Sequence, residues 1–148
     1  MTDKGNIVIN LFDDQTPVTV NNFVFLARSG WYDNITFYYV IPDFAAETGD
    51  PSGSGRGSPG YTIPYEPTIS SFDRAGLVAM SHPPGFPDNA GSAFFITLAP
   101  LESSETYTIF GEVVEGMEVV KSLTLRDPSQ AGDLPPGDEI INITIDEK

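Results

Sequence analysis

The residues able to do chemistry in this chain are few. His82 is the only histidine, and none of the 148 residues is cysteine. No Ser-His-Asp motif surrounds His82, a lone histidine makes no metal site, and thiol chemistry is excluded. No metal and no cofactor is implied. Glu47 and Asp50 stand three positions apart. They read either as a carboxylate pair for acid/base work or as a groove-lining Glu beside a structural loop Asp. Among the cations, Arg56 lies nearest to them in sequence, ahead of Arg28 and Arg74, and is expected to be a solvated loop residue.

Aromatic side chains are the other resource. They gather in Thr36-Phe37-Tyr38-Tyr39-Val40-Ile41-Pro42, then Phe44, and again in Phe94-Phe95. Consecutive strand residues face opposite sides, so only one of Phe94 and Phe95 belongs to the core proper. Phe110 and Met117 read as core.

The elements that must position these groups are mostly strands. Ile7 to Phe12 is β-branched and partly alternating. Thr16 makes a good N-cap, Pro17 suits the first helical position, and Val20, Phe23, Val24 and Ala27 follow at amphipathic spacing, so a helix should run to about Gly30. Strands are expected at 35–41, 76–80, 93–98, 107–113 and 140–145, with a short helix over 117–123. Residues 51–60 read as an ordered glycine-rich surface loop. The prolines of 82–89 impose irregular backbone, and 127–138 is a further loop. These six strands, in a total expected to reach seven or eight and not alternating with helices, fit a closed antiparallel barrel capped by two helices better than a doubly wound sheet.

Composition sets the outer limits. The length suits one domain over 1–148 with its own core. Gly 14 and Pro 13 fit a turn-rich β protein. Seven Lys and Arg against 21 Asp and Glu give a net charge of −14, which disfavours nucleic acid and anionic membrane surfaces. No apolar run approaches the ~20 residues of a membrane span, and Met1-Thr2-Asp3-Lys4 opens no signal-peptide pattern. The compartment is left open between the cytoplasm and a secreted setting.

Several motifs in order resemble the cyclophilins, a family of peptidyl-prolyl cis/trans isomerases. Gly5-Asn6-Ile7-Val8-Ile9-Asn10-Leu11-Phe12 is similar to the family's first strand, and Pro17-Val18-Thr19-Val20-Asn21-Asn22-Phe23 to its first helix. Gly49-Asp50-Pro51 with the glycines up to Gly60-Tyr61 resembles the loop of bacterial-type members. Gly91-Ser92-Ala93-Phe94-Phe95-Ile96-Thr97 is similar to Gly-Ser-Gln-Phe-Phe-Ile-Thr, and Ile109 to Met117 resembles Val-Phe-Gly-x-Val-x-x-Gly-Met. The 36–42 segment resembles Thr-Phe-His-Arg-Val-Ile-Pro, with Tyr38 and Tyr39 in place of His and Arg.

The resemblance implies a mainly β fold, a closed eight-stranded antiparallel barrel with two capping helices. It implies prolyl isomerisation in protein folding, weakened because Tyr39 replaces the usual catalytic Arg. Glu47 stands where Gln usually supports that Arg. Substrate contacts fall on Phe44, Ala45, Ser81, His82, Ala93, Phe95 and Tyr107, with Phe44, Phe95 and Tyr107 holding the proline ring. Expected partners are proline-containing peptides or unfolded segments, with basic ones favoured by Glu47, and the protein is expected to be a monomer. The alternative is a catalytically silent module that binds such peptides. Cyclosporin binding is not expected, because the Arg, Gln, Trp and Asn positions that contact it have changed.

Overall fold

Val8, Ile9 and Leu11 supply the β-branched and apolar residues of the first strand, β1 (Val8–Leu11). The computed structural model describes residues 1–148. The chain continues through α1 (Pro17–Arg28), β2 (Ile35–Thr36), β3 (Tyr39–Ile41), β4 (Ala45–Thr48), β5 (Leu77–Met80), β6 (Phe94–Thr97), β7 (Ile109–Glu115), α2 (Met117–Lys121) and β8 (Glu139–Ile140). A single 3-10 turn, Pro87–Asn89, interrupts the otherwise irregular proline-rich segment.

All ladders are antiparallel. Six strands form one sheet in the order β1-β7-β5-β6-β4-β3, and β2 pairs β8 apart from it. The two helices are as expected. The ladders do not close, however, so the closed barrel expected from sequence is corrected to an open sheet plus a ribbon. Closure depends on hydrogen bonds between strands remote in sequence, which side-chain patterns do not encode.

The expected single strand over 35–41 is two. Asn34 N–H and Phe37 N–H donate to Ile140 and Asp138 carbonyls at 2.7 and 2.9 Å, whereas Tyr39 to Ile41 register with Glu47 to Ala45. The chain therefore changes partner at Phe37 and Tyr38, both buried. The expected strand over 140–145 ladders only at Glu139–Ile140. Beyond it Ile141 N–H donates to Met1 O at 2.8 Å, and Ile143 and Ile145 lie half-buried against the core. Their alternation reports burial, not a ladder. The strand placed at 107–113 starts two residues later, freeing Tyr107.

Pro17 opens α1 as expected, but Thr16 is not its side-chain cap. Thr16 Oγ1 donates back to Phe12 O at 2.9 Å. The carboxylate of Glu66 takes over, accepting from Val18 N–H at 3.2 Å and from Thr19 N–H and Oγ1 at 2.6 Å each. An anion there satisfies free N–H groups and complements the helix dipole.

The sheet sorts its side chains by face. Val40, Ala46, Val78, Ile96, Phe94 and Phe110 join Val20, Phe23 and Leu26 of α1 in the main core. Ala45, Leu77, Ala79, Phe95 and Ile109 form a second, smaller cluster, partly covered by Phe12, Phe72, Leu101 and Tyr107. Phe94 and Phe95 fall in different clusters, as period-two alternation requires.

Candidate functional site

The second cluster floors a groove. Register brings Tyr39 opposite Glu47, Glu47 opposite Phe95, and Phe95 opposite Ala79 across β3, β4, β6 and β5. Ala45 extends the same face one step along β4. The turn between β3 and β4 places Asp43 at φ 55 and leaves Phe44 46% exposed at the lip. Opposite them rise Phe72, Leu101 and Tyr107, with Glu102, Ser103 and Ser104 on the rim. The enclosed volume is about 310 Å³, a small site by the usual 300–1,000 Å³ range.

The aromatic walls fix one another. Phe95 meets Tyr107 edge-on, at 5.1 Å between centroids and 83°, and Phe72 lies 5.9 Å from Phe95 and 5.8 Å from Tyr107. Behind Tyr107, His82 stacks on its ring at 4.6 Å. The ring nitrogens of His82 lie 2.9 Å from Pro83 O and 2.6 Å from Thr106 O, so the histidine ties two loops together.

Polar groups sit on the β3 side. Ser81 Oγ donates to Glu47 Oε1 at 2.7 Å. Burial pushes the Glu47 carboxyl above its ordinary value, against hydrogen bonds from Ser81 and Tyr38 that pull it down; Asp50 adds to the rise. Burial raises the Tyr39 phenol, and Asp127 and Glu47 raise it further. Tyr107 is raised by burial, Glu105 and Glu47. Both phenols stay protonated near neutral pH and are hydrogen-bond donors.

Asp50 serves its loop. Its carboxylate accepts from Ser52 N–H and Gly57 N–H, each at 2.9 Å, and from Ser52 Oγ at 2.8 Å. Burial alone would raise it, but these bonds hold it below the usual carboxylate value. A Cβ at Gly57 would overlap that carboxylate, which explains the glycine. The acid/base pair with Glu47 is thereby replaced by the structural role.

Of the residues singled out from sequence, Tyr39, Phe44, Ala45, Glu47, Ser81, Phe95 and Tyr107 line the groove. Ala93 and His82 do not. Ala93 is buried and its carbonyl accepts Ser81 N–H at 2.9 Å, while His82 stacks behind Tyr107. No Lys or Arg lines the groove. Arg28 pairs Glu147 at 2.9 Å, and Arg74 pairs Asp73 and Glu112 at 2.8 Å each. Arg56 is an exposed residue of the glycine-rich loop. Sequence reasoning missed Phe72 and Leu101, which face each other through Leu101 N–H and Phe72 O at 2.9 Å. Phe72 lies in a segment without periodicity, so nothing local marked it.

Fold and groove describe a β-sheet protein with one aromatic cleft beside a half-buried carboxylate. The family model for the cyclophilin type peptidyl-prolyl cis-trans isomerases matches residues 1–145. A peptidyl-prolyl cis-trans isomerase-like 1 of Aspergillus niger is 39% identical over 129 residues, 84% of this chain and 78% of that protein. The peptidyl-prolyl cis-trans isomerase B of Bacillus subtilis is 38% identical over 129 residues, 86% of this chain and 89% of its own length. A crystal structure of a Cryptosporidium parvum cyclophilin type isomerase, obtained in the presence of the dipeptide Ala-Pro, superposes with a TM-score of 0.86 at 30% identity, covering 99% of this chain and 96% of the other. The chain belongs to the cyclophilin-type peptidyl-prolyl cis-trans isomerases, a family of enzymes. No helix is long and apolar enough to cross a membrane.

Proposed function

We propose that the protein isomerises X-Pro bonds in unfolded or loosely folded chains, at a reduced rate, through this groove. Rotation about the X-Pro bond breaks amide resonance against a barrier of roughly 18–20 kcal/mol. A catalyst must grip the proline ring, anchor the flanking backbone and donate to the prolyl nitrogen as it gains a lone pair. In this reading Phe95, Phe44 and Tyr107 grip the ring and Phe72 and Leu101 close the pocket, which all five residues line. Tyr39 is the donor and Glu47 its cross-strand neighbour. The observation that carries the reading is a pocket walled by Phe44, Phe72, Phe95 and Tyr107 whose lining holds no Lys or Arg, so that its donors are neutral. Charged donors make bonds about twice as strong as neutral ones, so a lowered rate follows.

The same lack of a cation favours one alternative, a peptide-binding module without catalysis. In either case the partner is a proline-containing segment, and Glu47 and Glu102 in the walls favour one with Lys or Arg beside the proline. Calorimetric titration with Ala-Pro peptides bearing Lys, Ala or Glu next to the proline tests this. Lys should bind best, with a lead that shrinks as salt rises. No binding by any of them overturns the proposal.

A further inference from the structure

Glu47 is a carboxylate set into an aromatic groove, and a carboxylate taken out of water needs partners. No cation supplies one. The groove lining holds no Lys or Arg, and the ion pairs of the chain all lie elsewhere. Its partners are hydroxyls. Ser81 Oγ donates to Oε1 at 2.7 Å, the only hydrogen bond that oxygen receives. The phenol of the buried Tyr38 is the second donor. Oε2 faces the glycine-rich loop, where a Cβ on Gly55 would lie 3.6 Å from it and 3.5 Å from the Tyr38 ring.

Backbone pairing holds Ser81 in place. It follows β5 directly, two residues past Ala79, so it shares the face on which Ala79, Phe95 and Glu47 stand in register. Ser81 N–H donates to Ala93 O at 2.9 Å and Met80 N–H to Thr108 O at 3.0 Å. This end of β5 is thereby tied to the residues that lead into β6 and β7, and the hydroxyl reaches Glu47 from a fixed point.

The other groups that face Glu47 are phenols and acids. Tyr39 stands opposite it on β3, and Asp50 acts on it from the glycine-rich loop. Tyr107, with Glu105 beside it, stands on the far wall, and Glu102 shares the lining. Burial and Asp50 press Glu47 toward its neutral form, and the hydrogen bonds from Ser81 and Tyr38 oppose them. Of these two donors, Ser81 is the one in the groove lining.

We propose that Ser81 is a positioning residue for substrate choice: its hydroxyl holds Glu47 as an ionised carboxylate in the groove, where it selects peptides with Lys or Arg beside the proline. This rests on the peptide-binding reading of the groove, and it assigns the cation to Glu47 and not to Glu102. Its signature is pH dependence. A neutral Glu47 gives no preference for a cation, so the Lys-over-Ala affinity ratio climbs as pH rises and Glu47 ionises. A hydrogen bond to a charged acceptor favours the ionised form by roughly tenfold or more, so loss of the Ser81 hydroxyl moves that climb up by about one pH unit.

The test is calorimetric titration of the full chain, from pH 4 to 8, with end-blocked Ala-Pro peptides bearing Lys or Ala next to the proline. In Ser81→Ala the pH at which the Lys-over-Ala ratio is half risen should lie about one unit above that of the natural protein. Ser81→Thr, which keeps a hydroxyl, should return it to the natural value. Glu47→Gln should remove the pH dependence of the ratio, with or without the Ser81 hydroxyl. A ratio that climbs at the same pH in the natural protein and in Ser81→Ala overturns the role of Ser81. So does a ratio that still climbs in Glu47→Gln, which would give the cation to Glu102. Equal binding of the two peptides by the natural protein at every pH, or binding of neither, strikes the reading of the groove itself, and the role of Ser81 falls with it.

Discussion

Replacing Tyr39 with Arg should raise kcat/KM on an Ala-Pro peptide by about 10- to 30-fold. A single preorganised donor aimed at charge that develops in a transition state is worth ~2.7–4 kcal/mol. A neutral donor supplies about half of that, so Tyr39 leaves ~1.4–2 kcal/mol unsupplied, which is the quoted factor. The substituted side chain would emerge on β3 directly opposite Glu47 and within the field of Asp127. Two carboxylates would then hold the guanidinium beside the pocket without a change of backbone. Tyr39→Phe removes the neutral donor and should slow the reaction by a similar factor. The assay is protease-coupled isomerisation, with calorimetric binding alongside to separate rate from affinity. An Arg variant no faster than the natural protein, at unchanged peptide affinity, refutes the placement of Tyr39 at the prolyl nitrogen.

Further expectations concern the walls and the frame. Phe95→Ala should lower stability by about 3 kcal/mol, since Phe95 is 7% exposed and packed between two aromatics, and it should weaken Ala-Pro binding more than tenfold; urea titration and calorimetry read the two effects. Glu47→Gln should stabilise the protein at neutral pH. A carboxyl whose folded pKa lies above its ordinary 4.5 binds its proton more tightly when folded, so stability falls as pH rises through and above that value, and the Gln variant should lose this slope in thermal melts taken from pH 4 to 8. Glu66→Ala should destabilise by about 1–2 kcal/mol by uncovering the start of α1, and a denaturation midpoint unchanged within error would show that water caps the helix equally well.

Local chemistry was well written in the sequence. Pro17 at the start of α1, the amphipathic stripe of Val20, Phe23 and Ala27, and the opposite facing of Phe94 and Phe95 all follow from backbone periods. The glycine-rich loop reads correctly because the Asp50 carboxylate and the glycines it needs are close in sequence. What escaped was set at long range. Glu66 caps a helix 47 residues away, where Thr16 looked sufficient. Phe72 completes the cleft from a stretch with no pattern. The break of 35–41 into β2 and β3 depends on where Asp138 and Glu47 lie in space. In the groove itself, Tyr39, Ala45, Glu47 and Phe95 were named only through the family resemblance, and the register of β3, β4 and β6 brings them onto one face. The resemblance also named Ala93 and His82, which lie outside the groove lining, Ala93 buried in the sheet and His82 stacked behind Tyr107.

Exchange NMR on an Ala-Pro peptide, with and without catalytic amounts of the natural protein, tests the central claim most directly. Uncatalysed isomerisation takes tens to hundreds of seconds. Cis/trans exchange should be faster with the protein, fall back in Phe95→Ala, and accelerate further in Tyr39→Arg. Peptide that binds the groove yet exchanges at the uncatalysed rate would contradict catalysis and leave a silent binding module.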